Sequence, residues 1–251
     1  MIGPICYIGG KNRLAKRIID RIHAHKAYVE VFAGGAQVLF HKEPSKIEVL
    51  NDLSSDVVNF FRVCQLHHDE LVRFLRFMIV SRKSFELLRR TPPETLTDIQ
   101  RAARFFYLQK NAFAGRVVRQ SYHYCVSKPS NYLISRIPDL IDRTHERLQD
   151  VQVECLPYQE VLRKYDRKDT FFYLDPPYRN RPLYAFNFTD DDYQALSRQL
   201  ATVQGTFLLS LNDEEFIRRT FSAFKLEEVE IAYSAQVKSG RRYRELFISN
   251  Y

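Results

Sequence analysis

Apolar positions recur along this chain with two periods, and the dominant period changes twice. Tyr28-Val29-Glu30-Val31-Phe32 is β-branched and aromatic, stops at Ala33-Gly34-Gly35, and passes straight into Val38-Leu39-Phe40. That order predicts a strand, a glycine turn and a helix. Before it, a loop at Tyr7-Ile8-Gly9-Gly10-Lys11 leads to a helix expected from about Arg13 to Ala24, with Leu14, Ile18, Ile19 and Ile22 on one face. After it, Lys46-Ile47-Glu48-Val49-Leu50 reads as a short strand closed by Asn51-Asp52. Helical spacing resumes from Leu53 to Cys64.

From about Leu66 to Gln149 the three-and-four spacing takes over. Leu71, Phe74, Leu75, Met78 and Ile79 form one such series, and Ala102, Phe105, Phe106 and Gln109 another. Ala112 to Ile137, with Gly115, Pro129 and several tyrosines, is expected to be an extended ordered loop. Strand and helix then alternate again. Strands are expected at Val151–Cys155, Thr170–Leu174, Thr206–Ser210, Glu228–Tyr233 and Glu245–Ser249, with a helix near Gln159–Tyr165. Lys238-Ser239-Gly240-Arg241 is the expected tip of a hairpin joining the last two strands. Alternating strands and helices imply an α/β fold with a mostly parallel sheet, and the helical middle is then an insertion between its second and third strands. The expected boundaries are 1–65 with 148–251 for the sheet domain and 66–147 for the insertion.

Composition narrows this picture. At 251 residues and 45% hydrophobic positions the chain can bury a sizeable core. No apolar run approaches the roughly 18 residues that a membrane helix needs, and Met1 to Gly10 lacks the pattern of a secretory signal. Cys6, Cys64, Cys125 and Cys155 form no CxxC pair, so neither a disulfide framework nor a zinc site is expected, and a reducing, cytoplasmic home follows. The seven histidines show no metal-ligand spacing either. The net charge is +8, and residues 63–150 hold fifteen Lys and Arg against nine Asp and Glu. A polyanion would be drawn to this middle third, although a solvated helical face accounts for the charge equally well.

Two candidate sites stand at the ends of expected strands, where ligands bind in open α/β sheets. At Phe32-Ala33-Gly34-Gly35, glycine lets a ligand approach the backbone and the next helix points free N–H groups at it. A tight strand-to-helix turn would need glycine in any case. The next strand, however, ends in Asp52, twenty residues beyond Phe32. A carboxylate there can accept both hydroxyls of a ribose, which points to a nucleoside-containing cofactor. At Asp175-Pro176-Pro177-Tyr178, two prolines make a rigid turn without two of its N–H donors, flanked by a carboxylate and an aromatic face. The group suits a planar amine: Asp175 and the Pro176 carbonyl can each take one N–H while Tyr178 stacks on the ring.

These residues, in this order, resemble the Dam-like, D12-class N6-adenine DNA methyltransferases over nearly the whole chain. Cys6-Tyr7-Ile8-Gly9-Gly10-Lys11 is similar to their N-terminal aromatic-x-Gly-Gly-Lys motif, Val29 to Gly35 to their F-x-G cofactor motif, Asn51-Asp52 to their acidic motif and Asp175 to Tyr178 to their catalytic motif. Asn111-Ala112-Phe113-Ala114-Gly115 with Arg119 is similar to the N-x-F-x-G segment of their recognition insertion. Leu209 to Asp213 and Glu245 to Tyr251 match two C-terminal signatures. The resemblance implies a Rossmann-like, S-adenosylmethionine-dependent methyltransferase sheet with a helical target-recognition insertion. It implies that Tyr7 lies on the cofactor adenine, Lys11 helps close that site, Asp52 holds the ribose, and Phe32 and Gly34 line the methionine moiety, beside Asp175. Two departures stand out: Cys6 where a basic residue is common, and Leu156-Pro157-Tyr158 where many members carry Asp before the aromatic.

The function expected is methyl transfer from S-adenosylmethionine to adenine N6 in a specific sequence of double-stranded DNA, by base flipping and direct in-line transfer without a metal. The alternatives are N4-cytosine methylation and a non-catalytic nucleic-acid-binding module of the same fold. For DNA contact the candidates are Asn111, Phe113, Arg116, Arg119, Tyr122 and Lys128, a loop that interleaves cations with rings. Arg119 could pair with guanine, or Arg116 and Arg119 could hold only phosphate or simply solvate the loop, and these readings stand open. A companion restriction endonuclease and a nucleoid-associated or phage-encoded setting are compatible with this reading.

Overall fold

The computed structural model describes residues 1–251 except 125, 126, 128, 129, 182 and 232–242, and the side chains of 231 and 243. The expected hairpin tip at 238–241 and the candidate Lys128 therefore lie outside the described residues. The described strands are β1 Ala27–Glu30, β2 Ile47–Asn51, β3 Val151–Glu154, β4 Thr170–Leu174, β5 Thr206–Asn212, β6 Lys225–Ile231 and β7 Tyr243–Ser249. They form one sheet in the order β3-β2-β1-β4-β5-β7-β6. The first five run parallel, and β7 is antiparallel to both β5 and β6. The fold is thus a Rossmann-like α/β sheet whose strand order reverses between β1 and β4, opening a crevice at their C-terminal ends.

Strand residues are apolar on both faces, as a parallel sheet covered on both sides requires. Tyr28, Leu50, Phe171, Tyr173 and Leu208 point into one apolar cluster. Their neighbours Val29, Val49, Phe172, Leu174 and Leu209 point into the other. The second cluster is closed by α8 Tyr158–Tyr165, α9 Asp190–Leu200 and α10 Glu215–Thr220. The first lies under α1 Ala15–Ile19, α2 Gln37–His41 and α3 Ser55–Leu66. It continues without a break into α4 His68–Arg76, α5 Arg82–Arg90, α6 Asp98–Asn111 and α7 Ile137–Leu148. These four helices occupy the stretch between the second and third strands.

Helix α6 starts at a reciprocal cap between Thr97 and Gln100 and packs on α3, where Phe60 and Phe106 stack with centroids 5.7 Å apart. Two expectations need correction. The first helix spans only Ala15–Ile19, because the chain turns at Asp20 and unwinds through the His23-Ala24-His25 segment that feeds β1. The apolar series of α4 is not all core: the helix ends at Arg76, Phe74 is 41% exposed and Ile79 66% exposed. Leu71 and Leu75 alone of that series are fully buried, since the turn that unwinds after Arg76 carries the later members outward.

Candidate functional site

Five N-terminal residues, the β1 turn, the end of β2 and the end of β4 surround one cavity of about 450 Å³. It gathers Tyr7, Lys11, Phe32, Gly34, Asp52 and Asp175 from positions up to 168 residues apart. Pro177 also lines it; Pro176 is buried beneath the turn, and Tyr178 joins from the side, its ring centroid 4.7 Å from Lys11 Nζ.

The glycine turn is shaped by what presses on it. Gly34 has φ +48°, and a Cβ there would sit 3.0 Å from the Tyr7 ring, so only glycine fits between the turn and that ring. The Gly34 N–H donates to Asp52 Oδ2 at 2.7 Å and the Ser54 N–H to Asp52 Oδ1 at 2.8 Å. Burial pushes the Asp52 carboxyl up, and these two donors pull it back. A carboxylate has about four acceptor positions, so two remain for a ligand in the cavity. Phe32 forms a wall with Tyr158 and Phe188, with ring centroids 5.8 and 5.7 Å away. The departure at 156–158 is absorbed by Asn51, whose side chain donates to the Leu156 carbonyl and accepts from the Leu156 N–H.

At the proline turn, Lys11 Nζ donates to both Asp175 oxygens, at 2.7 and 2.8 Å, and Ser210 Oγ donates to Oδ1 at 3.1 Å. Burial raises the Asp175 carboxyl, and Lys11 and Ser210 oppose that shift. The Tyr193 hydroxyl donates to the Pro177 carbonyl at 2.6 Å, which locks the turn onto α9. Below the cavity, Glu30 is 2% exposed and accepts from the Tyr28 hydroxyl and the Leu39 N–H. Burial raises its carboxyl to about 8.

Three residues here escaped the sequence. Tyr184 stacks on Tyr7 with centroids 6.1 Å apart and donates to the Ile8 carbonyl at 2.9 Å. Ser210 holds Asp175 of the proline turn, and Glu30 holds the Leu39 N–H of the helix after the glycine turn. Tyr184 lies in the loop between β4 and α9, where no local pattern marks it; Glu30 and Ser210 fall within the Val29 to Gly35 and Leu209 to Asp213 segments, but only strand register brings them under the site.

The recognition candidates divide. Asn111 is 2% exposed and spends its amide inside, donating to the Tyr107 carbonyl and accepting from Ser130. It braces the loop from within. Phe113 is half exposed with the Arg116 guanidinium 5.7 Å from its ring centre, and Arg119 is exposed at φ +49°. Tyr122 packs edge-on against Phe85 beneath Arg82. The loop is tied to the cofactor side: the Gly115 carbonyl accepts from the Ile8 N–H at 3.0 Å, and Gln109 reaches the carbonyls of Cys6 and Gly115.

A sheet that reverses at β1/β4, a glycine turn held by an acidic strand end and a rigid proline turn facing it across one cavity fit a methyltransferase. The family profile for the D12 class N6 adenine-specific DNA methyltransferases matches residues 7–235, and the chain belongs to that family. It is 27% identical to the type II methyltransferase M.CviBI of Paramecium bursaria Chlorella virus NC1A, covering 93% of this chain and 91% of that one. It is 24% identical to the type II methyltransferase M.MjaIII of Methanocaldococcus jannaschii, covering 98% and 97%. It is 23% identical to the DNA adenine methylase of Escherichia coli K12, covering 94% and 90%. The chain is an adenine-specific DNA methyltransferase by family. Among the described residues, no helix is long and apolar enough to cross a membrane.

Proposed function

We propose that the chain transfers a methyl group from S-adenosylmethionine to N6 of an adenine extruded from a specific DNA sequence. The observation that carries this reading is the Asp175 carboxylate, held by Lys11 and Ser210 at the mouth of the cavity that also contains the glycine turn and Asp52.

The cofactor supplies the electrophilic methyl. Asp52 holds its ribose, Tyr7 covers its adenine, and Phe32 and Gly34 line its methionine end. An adenine N6 lone pair is delocalised into the ring, so the site must favour a pyramidal nitrogen. Asp175 and the Pro176 carbonyl accept its two hydrogens and stabilise the positive charge that grows on it. Lys11 and Ser210 keep the carboxylate in one orientation, and Tyr178 offers a ring on which the extruded base stacks, offsetting part of the few kcal/mol that extrusion costs. The helical insertion, 66–147, carries the loop that meets DNA, with Phe113, Arg116, Arg119, Tyr122 and Lys128 at the interface. The type II names of two relatives fit a chain that protects DNA from a companion endonuclease.

Incubation of the purified chain with duplex DNA and methyl-labelled S-adenosylmethionine, followed by mass spectrometry of the nucleosides, tests this. N6-methyladenine is expected; N4-methylcytosine alone, or no labelled nucleoside, rejects it.

A further inference from the structure

The turn between α4 and α5 exposes apolar side chains that a merely solvated surface has no use for. Phe77 is 83% exposed, and Phe74, Ile79 and Val80 are exposed around it. A frayed helix end would expose such residues by accident, but this turn is held fast from beneath. The Tyr107 hydroxyl donates to the Ile79 carbonyl at 2.9 Å and accepts from the Ser81 N–H at 3.1 Å. The Tyr132 hydroxyl donates to the Leu75 carbonyl at 2.7 Å. Both tyrosines are buried and meet edge to face, their centroids 5.1 Å apart. The backbone is therefore pinned to the core while Phe77 and Ile79 stand in water, and a contiguous exposed apolar patch of this kind marks a contact surface.

The charges around the patch are one-sided. Arg73, Arg76, Arg82 and Lys83 are all exposed, and no acidic residue lies between Glu70 and Glu86. Glu86, the first acid beyond, is already paired with Arg89. Arg73 lies three residues before Arg76 and four before Phe77, so these side chains share one face at the end of α4. Across the turn, the Arg82 guanidinium is 5.1 Å from the centre of the Tyr122 ring and 5.8 Å from that of Tyr124. Tyr122 belongs to the loop that meets DNA in the proposed function, and Tyr124 is exposed beside it. The basic and apolar face is thus continuous with that loop.

We propose that the α4–α5 turn is a second DNA-binding element, which lies along the duplex flanking the methylated site. Arg73, Arg76, Arg82 and Lys83 neutralise backbone phosphates, and Phe77 with Ile79 seats against the sugars at the minor-groove edge. This rests on the reading that the loop from Asn111 to Tyr124 meets DNA. A duplex explains both halves of the face: the cations gain by releasing condensed counterions, and the apolar side chains among them gain once a surface covers them. A solvated helical face accounts for the cations alone. A contact of this kind reads no base edges, so it adds affinity to every duplex alike.

The test uses the full chain carrying Arg73→Gln with Arg76→Gln and, separately, Phe77→Ser, with binding to cognate and scrambled duplexes measured at several salt concentrations. The double arginine variant is expected to bind both duplexes about ten-fold or more weakly near 0.1 M salt, with a salt slope flatter by about two. Phe77→Ser should weaken both by about ten-fold and keep the wild-type slope, since no charge is lost. In each variant the Kd for S-adenosylmethionine, kcat at saturating DNA and Tm should match wild type, because these residues line neither the cavity nor the core. Wild-type affinity and slope in both variants would overturn the inference, as would a loss confined to the cognate duplex. Unchanged DNA binding with loss of self-association in sedimentation, or of binding to anionic-lipid vesicles, would also overturn it and give the face to that partner. Each of these outcomes leaves the proposed function standing if wild type still forms N6-methyladenine. A wild type that binds DNA through this turn yet methylates no adenine rejects that function alone.

Discussion

The proline turn and the loop from Asn111 to Tyr124 would both serve one nucleic-acid substrate, yet they are built in opposite ways. At the turn, Asp175 is enclosed and held by three of its roughly four acceptor positions: Lys11, itself 6% exposed, binds both oxygens and Ser210 one of them. On the loop, Arg116 and Arg119 are exposed, with an aromatic ring as the nearest support for Arg116. Chemistry on a nitrogen needs acceptors fixed in advance, because a group that must reorganise adds to the barrier. Contact with a phosphate backbone gains instead from solvated cations that displace counterions. The buried region is therefore sensitive to the loss of one atom, and the exposed one to salt.

The largest break should come from Asp175→Ala. Methyl transfer is expected to fall by about 10³-fold or more while S-adenosylmethionine still binds, read by labelled-methyl incorporation and calorimetry. Wild-type turnover in this variant would remove the turn from the chemistry. The pH response of stability sharpens the same contrast. Glu30 has its carboxyl raised to about 8 when folded, against about 4.3 in an unfolded chain. Between these values the folded state holds the extra proton, so stability should fall as pH rises from about 4.5 through 8, by a few kcal/mol. Denaturant titrations at several pH values should lose most of that slope in Glu30→Gln; an unaltered slope would place its origin elsewhere.

Asp52→Ala should weaken S-adenosylmethionine binding by about 1.5 to 3 kcal/mol, and it also frees the Gly34 and Ser54 N–H groups that Asp52 now holds. An unchanged Kd would reduce Asp52 to a brace for its loop. Gly115→Ala probes the seam between the two regions. Gly115 has φ +63°, and a Cβ there would lie 2.8 Å from the Cys6 carbonyl oxygen, a strain of about 1 to 3 kcal/mol. Because Ile8 hangs on that same glycine, the KM for S-adenosylmethionine should rise together with the loss of DNA affinity. A change in DNA binding alone would mean that the seam transmits nothing.

Arg119→Ala is expected to have the smallest effect and the most informative pattern. A base contact would cost roughly 1 to 3 kcal/mol on the cognate site alone, whereas a phosphate contact would weaken all duplexes alike and flatten the salt slope by about one unit. Binding to cognate and scrambled duplexes at several salt concentrations separates the two, and no change on either would take Arg119 out of the interface.

Much of this protein is legible in the residues themselves, wherever the constraint is local. Gly34 and the two prolines of the Asp175–Tyr178 turn fix backbone conformations on their own, and β4 stands where Thr170 and the four apolar residues after it predict, Thr170–Leu174. The alternation of strands and helices is enough for a parallel sheet with a helical insertion, since each strand can be covered on both faces in few ways. The end of α4 departs from its apolar series because periodicity reports which residues could be buried together, and nothing in it says where a helix stops.

Tertiary structure alone decided the rest. Lys11 meets Asp175 across 164 residues, and Ser210 reaches it through strand register, which no spacing in the chain encodes. Asn111, a DNA contact by its motif, is buried and bonded to the Tyr107 carbonyl in this structure, since an amide can satisfy backbone groups as well as a base and only its surroundings choose. The sequence by itself determined the local backbone and the types of group available; the packing of distant strands decided which of those groups share a cavity, and electrostatic and hydrogen-bond energies depend on that proximity.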